Sequence, residues 1–181
     1  FTRLIVVFSF LRQALGTQQM PPTQLLVSLA MVLTFFIMEP VGKVAYENGI
    51  KPYMEETIGY EEAFDKAVEP FKDFMIRNTR EKDLALFLRI RGKENFNSAE
   101  DITLPILIPA FMISELKTAF EIGFLLYLPF LVIDMVVSSV LMAMGMMMLP
   151  PVMISMPFKL ILFILVDGWN LVVMQLVESF K

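Results

Sequence analysis

The residue in this sequence most suggestive of chemistry is Asp134, because it lies inside a long apolar run at residues 122–149. An ionised carboxylate in hydrocarbon costs at least ~2.5 kcal/mol on insertion scales, so its side chain must face protein, water or a cation. Two roles are open: a proton or ion relay, and a structural polar contact between subunits. The structural role is favoured because no second acid, His or Tyr forms an obvious relay with Asp134.

Other charges within the C-terminal apolar block are also predicted to form buried polar contacts that hold an assembly together. Lys117 and Glu121 are four residues apart, so they can pair on one face of a helix. The complete predicted set of assembly contacts is Glu115, Lys117, Glu121, Asp134 and Lys159.

Methionine is concentrated in the same block, where eight of the 15 Met residues fall within residues 135–156 and three are consecutive, Met146, Met147 and Met148. Consecutive residues cannot share one helix face, so an ordinary core stripe fits them poorly. Met is unbranched and adapts to irregular surroundings, which suits a deformable contact or a hydrophobic constriction in a ring of subunits. Ordinary lipid-facing or core methionines remain the alternative from composition alone.

Several reaction classes are excluded by residue type. The chain has no Cys and no His, which excludes disulfides, thiol chemistry, zinc fingers and a His general base. Paired acids occur at residues 55–56, 61–62 and 100–101, but without an aromatic-lined groove a solvated face is favoured over a glycosidase-like site. No phosphate-binding glycine loop, nucleophile elbow or metal-ligand spacing is present. We therefore expect no enzyme activity, no cofactor and no metal.

The distribution of charge divides the chain into three segments. Apolar residues make up 56% of the sequence, above the usual share of a soluble domain, which indicates the membrane class. Of the 34 charged residues, 23 lie within residues 43–101 and only 11 in the other 122. The predicted organisation is an N-terminal hydrophobic helical hairpin at 1–42, a polar helical domain at 43–101, and a C-terminal hydrophobic hairpin at 102–181. The Met-rich tip of the second hairpin is predicted at about residues 145–157. The net charge of −4 gives no basic footprint for nucleic acid.

Apolar periodicity, glycines and prolines predict the helices that position these residues. The first helix ends at Gly16, and the second ends near Glu39 and Pro40. Pro70 and Pro129 are expected to interrupt their helices, and the final helix to open after Pro157. Broken helices at membrane depth favour a pore or transporter-like assembly, with lipid-exposed kinks as the alternative. The predicted helices lie at residues 1–15, 25–38, 61–77, 82–91, 114–148 and 158–180.

Both hydrophobic blocks of the sequence contain long, specific motifs. The N-terminal motif is VFSFLRQALGTQQ at residues 7–19, followed by Pro21 and Pro22. The C-terminal motifs are IPAFMISELKTAF at 108–120, FLVID at 130–134, GMMM at 145–148, PFKL at 157–160 and DGW at 167–169. Together these motifs resemble the FliP/SpaP/YscR/HrcR family of type III export-gate proteins. The resemblance covers about two-thirds of the chain, and it looks flagellar rather than injectisome-like.

The resemblance implies a function that composition does not show. Members of this family form an oligomeric helical ring of about five copies. FliQ-like and FliR-like subunits join the ring, next to FlhB-like and FlhA-like export proteins, and unfolded flagellar export substrates pass through it. By resemblance, the polar insert is periplasmic, the assembly belongs to the flagellar basal body in the bacterial inner membrane, and Met146, Met147 and Met148 form a gasket that seals the pore. The alternative hypothesis is a proton-coupled secondary transporter or ion-channel subunit with Asp134 in the ion path, although a self-sufficient transporter usually has more spans and a repeat.

Overall fold

The computed structural model describes residues 1–17, 19–92, 102–146 and 148–180, and in these residues all regular structure is helical. The all-α prediction is therefore confirmed. A single π-helical turn, Tyr46–Ile50, joins α2 to α3. The helices are α1 Thr2–Ala14, α2 Thr23–Ala45, α3 Lys51–Met54, α4 Tyr60–Arg77, α5 Glu81–Ile90, α6 Leu104–Ala143, α7 Pro151–Leu165 and α8 Gly168–Glu178.

Within the described residues, two helical stretches are long and apolar enough to cross a membrane. The first, Thr23–Met54, contains α2, the π-helical turn and α3, and the second is α6. Helices α7 and α8 meet at an angle of 66°. Taken together, they are also long and apolar enough to cross a membrane, as a third, bent candidate. A hydrocarbon core about 30 Å thick needs roughly 20 residues of helix, so both continuous stretches exceed the required length.

The helices pass through most of the prolines at which the sequence predicted a stop. Helix α2 continues past Pro40, α4 past Pro70 and α6 past Pro129, so the predicted end and the two predicted interruptions are wrong. A proline inside a helix removes one hydrogen bond and crowds the carbonyl four residues earlier, at about 3 kcal/mol. In the apolar helices α2 and α6, ending the helix would leave several backbone groups without partners, which costs more.

The C-terminal segment departs from its prediction in the opposite way. One helix was predicted at 158–180, opening after Pro157, but α7 already begins at Pro151 and α8 is separate. Pro151 suits the start of α7 because the first helical N–H has no partner within the helix. The break follows α7 at Asp167, whose backbone is left-handed with φ of 51°. The connection between α6 and α7 covers residues 144–150, which is shorter than the predicted tip at 145–157.

Backbone contacts group the described residues into two units, Phe1–Leu33 with Thr118–Lys181, and Thr34–Lys117. Both divisions fall inside long helices, α2 and α6. The segments predicted from charge, 1–42, 43–101 and 102–181, describe polarity rather than compactness and stay a prediction, as does the hairpin arrangement. Residues 93–101 of the polar segment lie outside the described residues.

Helix α1 supplies much of the core of the first unit. Its buried side chains recur every three or four residues, as expected for one face of a helix, and they are Leu4, Val7, Phe8, Leu11 and Ala14. The ring of Phe8 meets Trp169 of α8 edge-on at 6.3 Å between centroids. The ring of Phe10 meets Phe120 of α6 at 5.5 Å, so α1 contacts both α6 and α8.

Gly168 is required for the packing of α7 against α8. A Cβ at this position would overlap the ring of Phe163, which itself stacks edge-on against Trp169 at 5.6 Å. We expect Gly168→Ala to lower the free energy of unfolding by about 1–3 kcal/mol, the usual cost of an overfilled core. Thermal unfolding of the detergent-purified protein measures the effect.

Gly42→Ala is the matched control for that substitution. Gly42 lies within α2, and no described atom comes within 4 Å of the position of its Cβ. Because Ala is a better helix former than Gly, we expect stability to rise by about 0.5–1 kcal/mol. Equal thermal stability of the two variants would show that the overlap at Phe163 is relieved without cost.

Candidate functional site

A buried ion pair joins α6 to α7. The Nζ atom of Lys159 donates to Oδ2 of Asp134 at 2.6 Å, and the side chains of Lys159 and Asp134 are 1% and 20% exposed. The hydroxyl of Ser155 donates to the other carboxylate oxygen, Oδ1, at 2.5 Å. Asp134 therefore faces a cation and a hydroxyl from its own chain, and no neighbouring subunit is needed to satisfy it.

The spacing of residues along α7 explains this arrangement. Ser155, Lys159 and Phe163 are four residues apart, so they share one face of the helix. On α6, Phe130 and Asp134 have the same spacing. The rings of Phe130 and Phe163 lie 6.4 Å apart, so α6 and α7 run side by side in opposite directions here. The contact between Phe130 and Phe163 lies one helical turn from the ion pair.

The ion pair of Asp134 and Lys159 holds α6 and α7 together. Opposite charges in a buried setting interact strongly, and separating them would leave at least one charge without compensation. A proton relay needs a carboxylate that is free to exchange protons with a path of donors, whereas both oxygens of Asp134 already accept hydrogen bonds. Sequence reasoning identified Asp134 and Lys159 but missed Ser155, whose signal was its spacing of four residues from Lys159.

The methionine loop, residues 144–150, begins at a defined helix end. The N–H of Met146 donates to the carbonyl of Leu141, and that of Gly145 to the carbonyl of Met142, both at 3.0 Å. This pair of bonds is a Schellman motif, which requires a left-handed residue, and Gly145 has φ of +75°. Pro150 and Pro151 begin α7 on the other side of the loop.

The described methionines of this loop are presented to the surroundings rather than packed. Met146 is 42% exposed and Met148 is 98% exposed. Met147, the third residue of the predicted gasket, lies outside the described residues. The loop is fixed to α6 by the Gly145 cap, and α6 is fixed to α7 by the ion pair. The exposed methionines therefore lie on a loop between two fixed helix ends, the capped end of α6 and the start of α7.

The remaining residues of the predicted contact set differ in burial. Glu115 is buried, whereas Lys117 and Glu121 are exposed on α6. Their predicted role in contacts between subunits stays a prediction.

Sequence reasoning also missed a buried polar contact in the second unit. The hydroxyl of Ser114 on α6 accepts the N–H of Arg80 at 3.0 Å and donates to Asp83 at 2.7 Å. Arg80 precedes α5 and Asp83 is its third residue. In a capping box, the side chain of the third residue accepts directly from the N–H of the residue before the helix. Here the hydroxyl of Ser114 bridges these two groups. Helix α6 thereby caps α5, and Ser114 and Asp83 are both buried.

Arg3 was a second omission, and it binds the end of α8. Its guanidinium donates to the carbonyl of Ser179 at 2.7 Å and to the hydroxyl of Ser179 at 2.9 Å. It also lies 3.8 Å from the centre of the Phe180 ring. A cation at a helix C-terminus interacts favourably with the helix dipole. Arg3 and Ser179 are 176 residues apart, so no local sequence pattern could indicate this contact.

Comparison of the sequence with known proteins shows the family of this chain. A sequence model of the FliP family matches residues 1–176. The flagellar biosynthetic protein FliP of Bacillus subtilis (strain 168) is 56% identical over 180 residues, which cover 99% of this chain and 81% of that protein. The protein of the same name from Caulobacter vibrioides is 54% identical, and the aligned region covers 100% of this chain and 68% of that protein. The one from Cereibacter sphaeroides is 53% identical, and the aligned region covers 99% of this chain and 60% of that protein. The chain belongs to the FliP family.

Proposed function

We propose that this chain is a core channel subunit of the flagellar type III protein export gate. In this role it forms part of the conduit for unfolded export substrates and seals it with Met146, Met147 and Met148. The observation that carries the proposal is the methionine loop: Met146 and Met148 are exposed on a connection that a Schellman motif and an ion-paired helix hold in place. Membership of the FliP family supports the same conclusion.

The exposed apolar surface of the long helices supports an assembly in or near a membrane. Large side chains of α6 and α7 that are more than half exposed include Phe124, Leu125, Met135, Phe158 and Ile164. Contiguous apolar surface of this kind is covered by lipid or by other protein. The proposed cover is self-association into about five copies, together with FliQ-like and FliR-like subunits and membrane lipid. FlhB-like and FlhA-like export proteins are the proposed cytoplasmic neighbours of the gate.

The location proposed for this assembly is the bacterial inner membrane, within the flagellar basal body. The chemistry proposed for it is passage and sealing, without catalysis or a cofactor. Flagellar proteins leave the cell through such a conduit in an unfolded state, so the subunit's contribution is a deformable apolar contact around the cargo.

Native mass spectrometry of the detergent-purified chain, alone and with its partner subunits, tests this function. We expect a closed oligomer of about five copies, because the exposed apolar faces of α6 and α7 need a cover. A stable monomer under both conditions would contradict the proposal. The Gly42→Ala variant serves as a control, since Gly42 lies in α2, outside the methionine loop.

The alternative function, a proton-coupled transporter or ion-channel subunit with Asp134 in the ion path, has less support. Asp134 is held by Lys159 and Ser155 of the same chain. A group that carries protons or ions must change partners during each cycle, and this arrangement disfavours such a change.

The polar segment is proposed to lie on the periplasmic side. Asn48 is exposed within the π-helical turn that follows α2, and the chain contains no Cys. We therefore expect Asn48→Cys to react with a membrane-impermeant thiol reagent in whole cells whose outer membrane is permeable. Labelling that appears only after lysis of the inner membrane would reverse the proposed topology. The parent chain without Cys is the control for background reaction.

A further inference from the structure

The second unit carries an exposed cluster of aromatic side chains that has no role in the gate site. The aromatic patch consists of Tyr53, Tyr60 and Phe64. The ring of Tyr60 lies 6.3 Å from that of Tyr53 and 6.5 Å from that of Phe64. All three are about half exposed or more, with Tyr60 at 69%. Tyr is well suited to interfaces because it offers a large apolar face with a polar tip.

Close packing beneath the patch fixes its shape. A Cβ on Gly49 would lie 2.7 Å from the carbonyl oxygen of Ala63 and from the backbone nitrogen of Ala67. Small residues at these positions let the π-helical turn and α4 approach closely. The π-helical turn and α4, which carries Tyr60 and Phe64, are therefore packed backbone to backbone, and α3, which carries Tyr53, continues directly from the turn. A preorganised surface loses less entropy on binding than a mobile one.

The surroundings of the aromatic patch are strongly acidic. Residues 46–69 contain seven carboxylates and two lysines, a net charge of −5. Glu55, Glu56, Glu61 and Glu62 are all exposed next to the patch residues in sequence. Both lysines lie four residues from a Glu on the same helical stretch, Lys66 at 2.7 Å from Glu62 and Lys51 at 4.0 Å from Glu55. The patch therefore favours a partner that combines apolar groups with positive charge.

The same unit offers a surface with the opposite character. Residues 72–91 contain six cationic side chains and three carboxylates, a net charge of +3. On α5, Lys82, Leu86, Arg89 and Ile90 have the spacing of one helix face, and all four are exposed. The basic face, defined by these four residues, thus combines two cations with two apolar side chains, and the carboxylate of Asp83 is directed to Ser114 instead.

We propose that the aromatic patch of one copy docks on the basic face of α5 in a second copy. Stacking of Arg89 or Lys82 over the rings would add cation–π attraction to the charge complementarity, and Leu86 and Ile90 would supply the apolar centre. Two different surfaces meet in such a contact, so it is heterologous and closes into a ring when the rotation between copies allows it. The inference rests on the proposed self-association and assigns a surface to it.

Charge reversal tests the docking in the full chain with its partner subunits. The acidic variant carries Glu61→Lys and Glu62→Lys, and the basic variant carries Lys82→Glu and Arg89→Glu. Each is expected to reduce the fraction of assembled ring in native mass spectrometry by about tenfold, because like charges then face each other. The variant with all four substitutions is expected to recover most of the assembly. Asp73→Lys, an exposed reversal outside both surfaces, is the control and is expected to assemble normally.

The outcomes separate this inference from the proposed function. A parent chain that stays monomeric contradicts the proposed function itself. A parent chain that forms rings while both reversed variants also form them overturns only the docking surface. Failure of the combined variant to recover assembly, with normal helix content, also overturns the docking. If the reversed variants keep the ring but lose a partner subunit, the aromatic patch belongs to that partner and the contact between copies is wrong.

Discussion

Asp134→Leu is expected to lower the free energy of unfolding by about 3–5 kcal/mol, the cost of leaving a buried charge without its partner. The Lys159 side chain is only 1% exposed, so its ammonium group would have no water to replace the lost carboxylate. Loss of the ion pair between α6 and α7 should also weaken assembly. Thermal unfolding and the yield of purified oligomer measure the two effects.

Two matched variants separate the structural role of Asp134 from a relay. Asp134→Asn keeps one oxygen that accepts from Lys159, and its amide N–H can donate to the hydroxyl of Ser155. We therefore expect this variant to retain assembly and most export. Asp134→Leu combined with Lys159→Met removes both charges and fills the space with apolar atoms, which is often neutral in stability. The double variant should therefore be more stable than Asp134→Leu alone. Export abolished by Asp134→Asn, with normal assembly, would favour the relay instead.

Replacement of Met146, Met147 and Met148 by Ala is expected to leave assembly intact and to make the inner membrane leaky to ions or small solutes. A closed pore must stop small solutes, yet it must later admit a polypeptide. Met provides apolar bulk with several rotatable bonds, so a ring of these side chains can disfavour water and still repack around cargo. Removal of that bulk opens the constriction without adding charge. Conductance of reconstituted vesicles and solute entry into cells measure the leak.

The triple Leu variant is the matched control for the methionine loop. Leu keeps most of the apolar volume, so the leak should be smaller than with Ala, although Leu is stiffer than Met and can slow the passage of cargo. The helix cap at Gly145 and the start of α7 at Pro150 and Pro151 are unchanged in both variants. A triple Ala variant that assembles normally and adds no conductance would contradict the gasket role and show that these methionines serve ordinary packing.

The sequence by itself determined the class of the fold and the properties that depend on local pattern. Apolar periodicity was enough to predict an all-helical chain and the approximate positions of α1, α4 and α5. The cost of a lone carboxylate in an apolar run was enough to predict that Asp134 must meet protein, water or a cation. The spacing of three consecutive methionines excluded a single helix face. Each conclusion follows from residues that are neighbours along the chain.

The tertiary structure decided which groups meet and where the helices continue. Asp134 binds residues 21 and 25 positions later in the chain, and Arg3 binds Ser179 across 176 positions. No local pattern encodes such pairs, because they depend on how the helices pack. Proline carries the same local cost at Pro40 and Pro129, yet these apolar helices continue because breaking them would leave more backbone groups without partners. The break came at Asp167 instead, where a left-handed residue and the missing side chain of Gly168 let α8 bend by 66° from α7 and place Trp169 against Phe163.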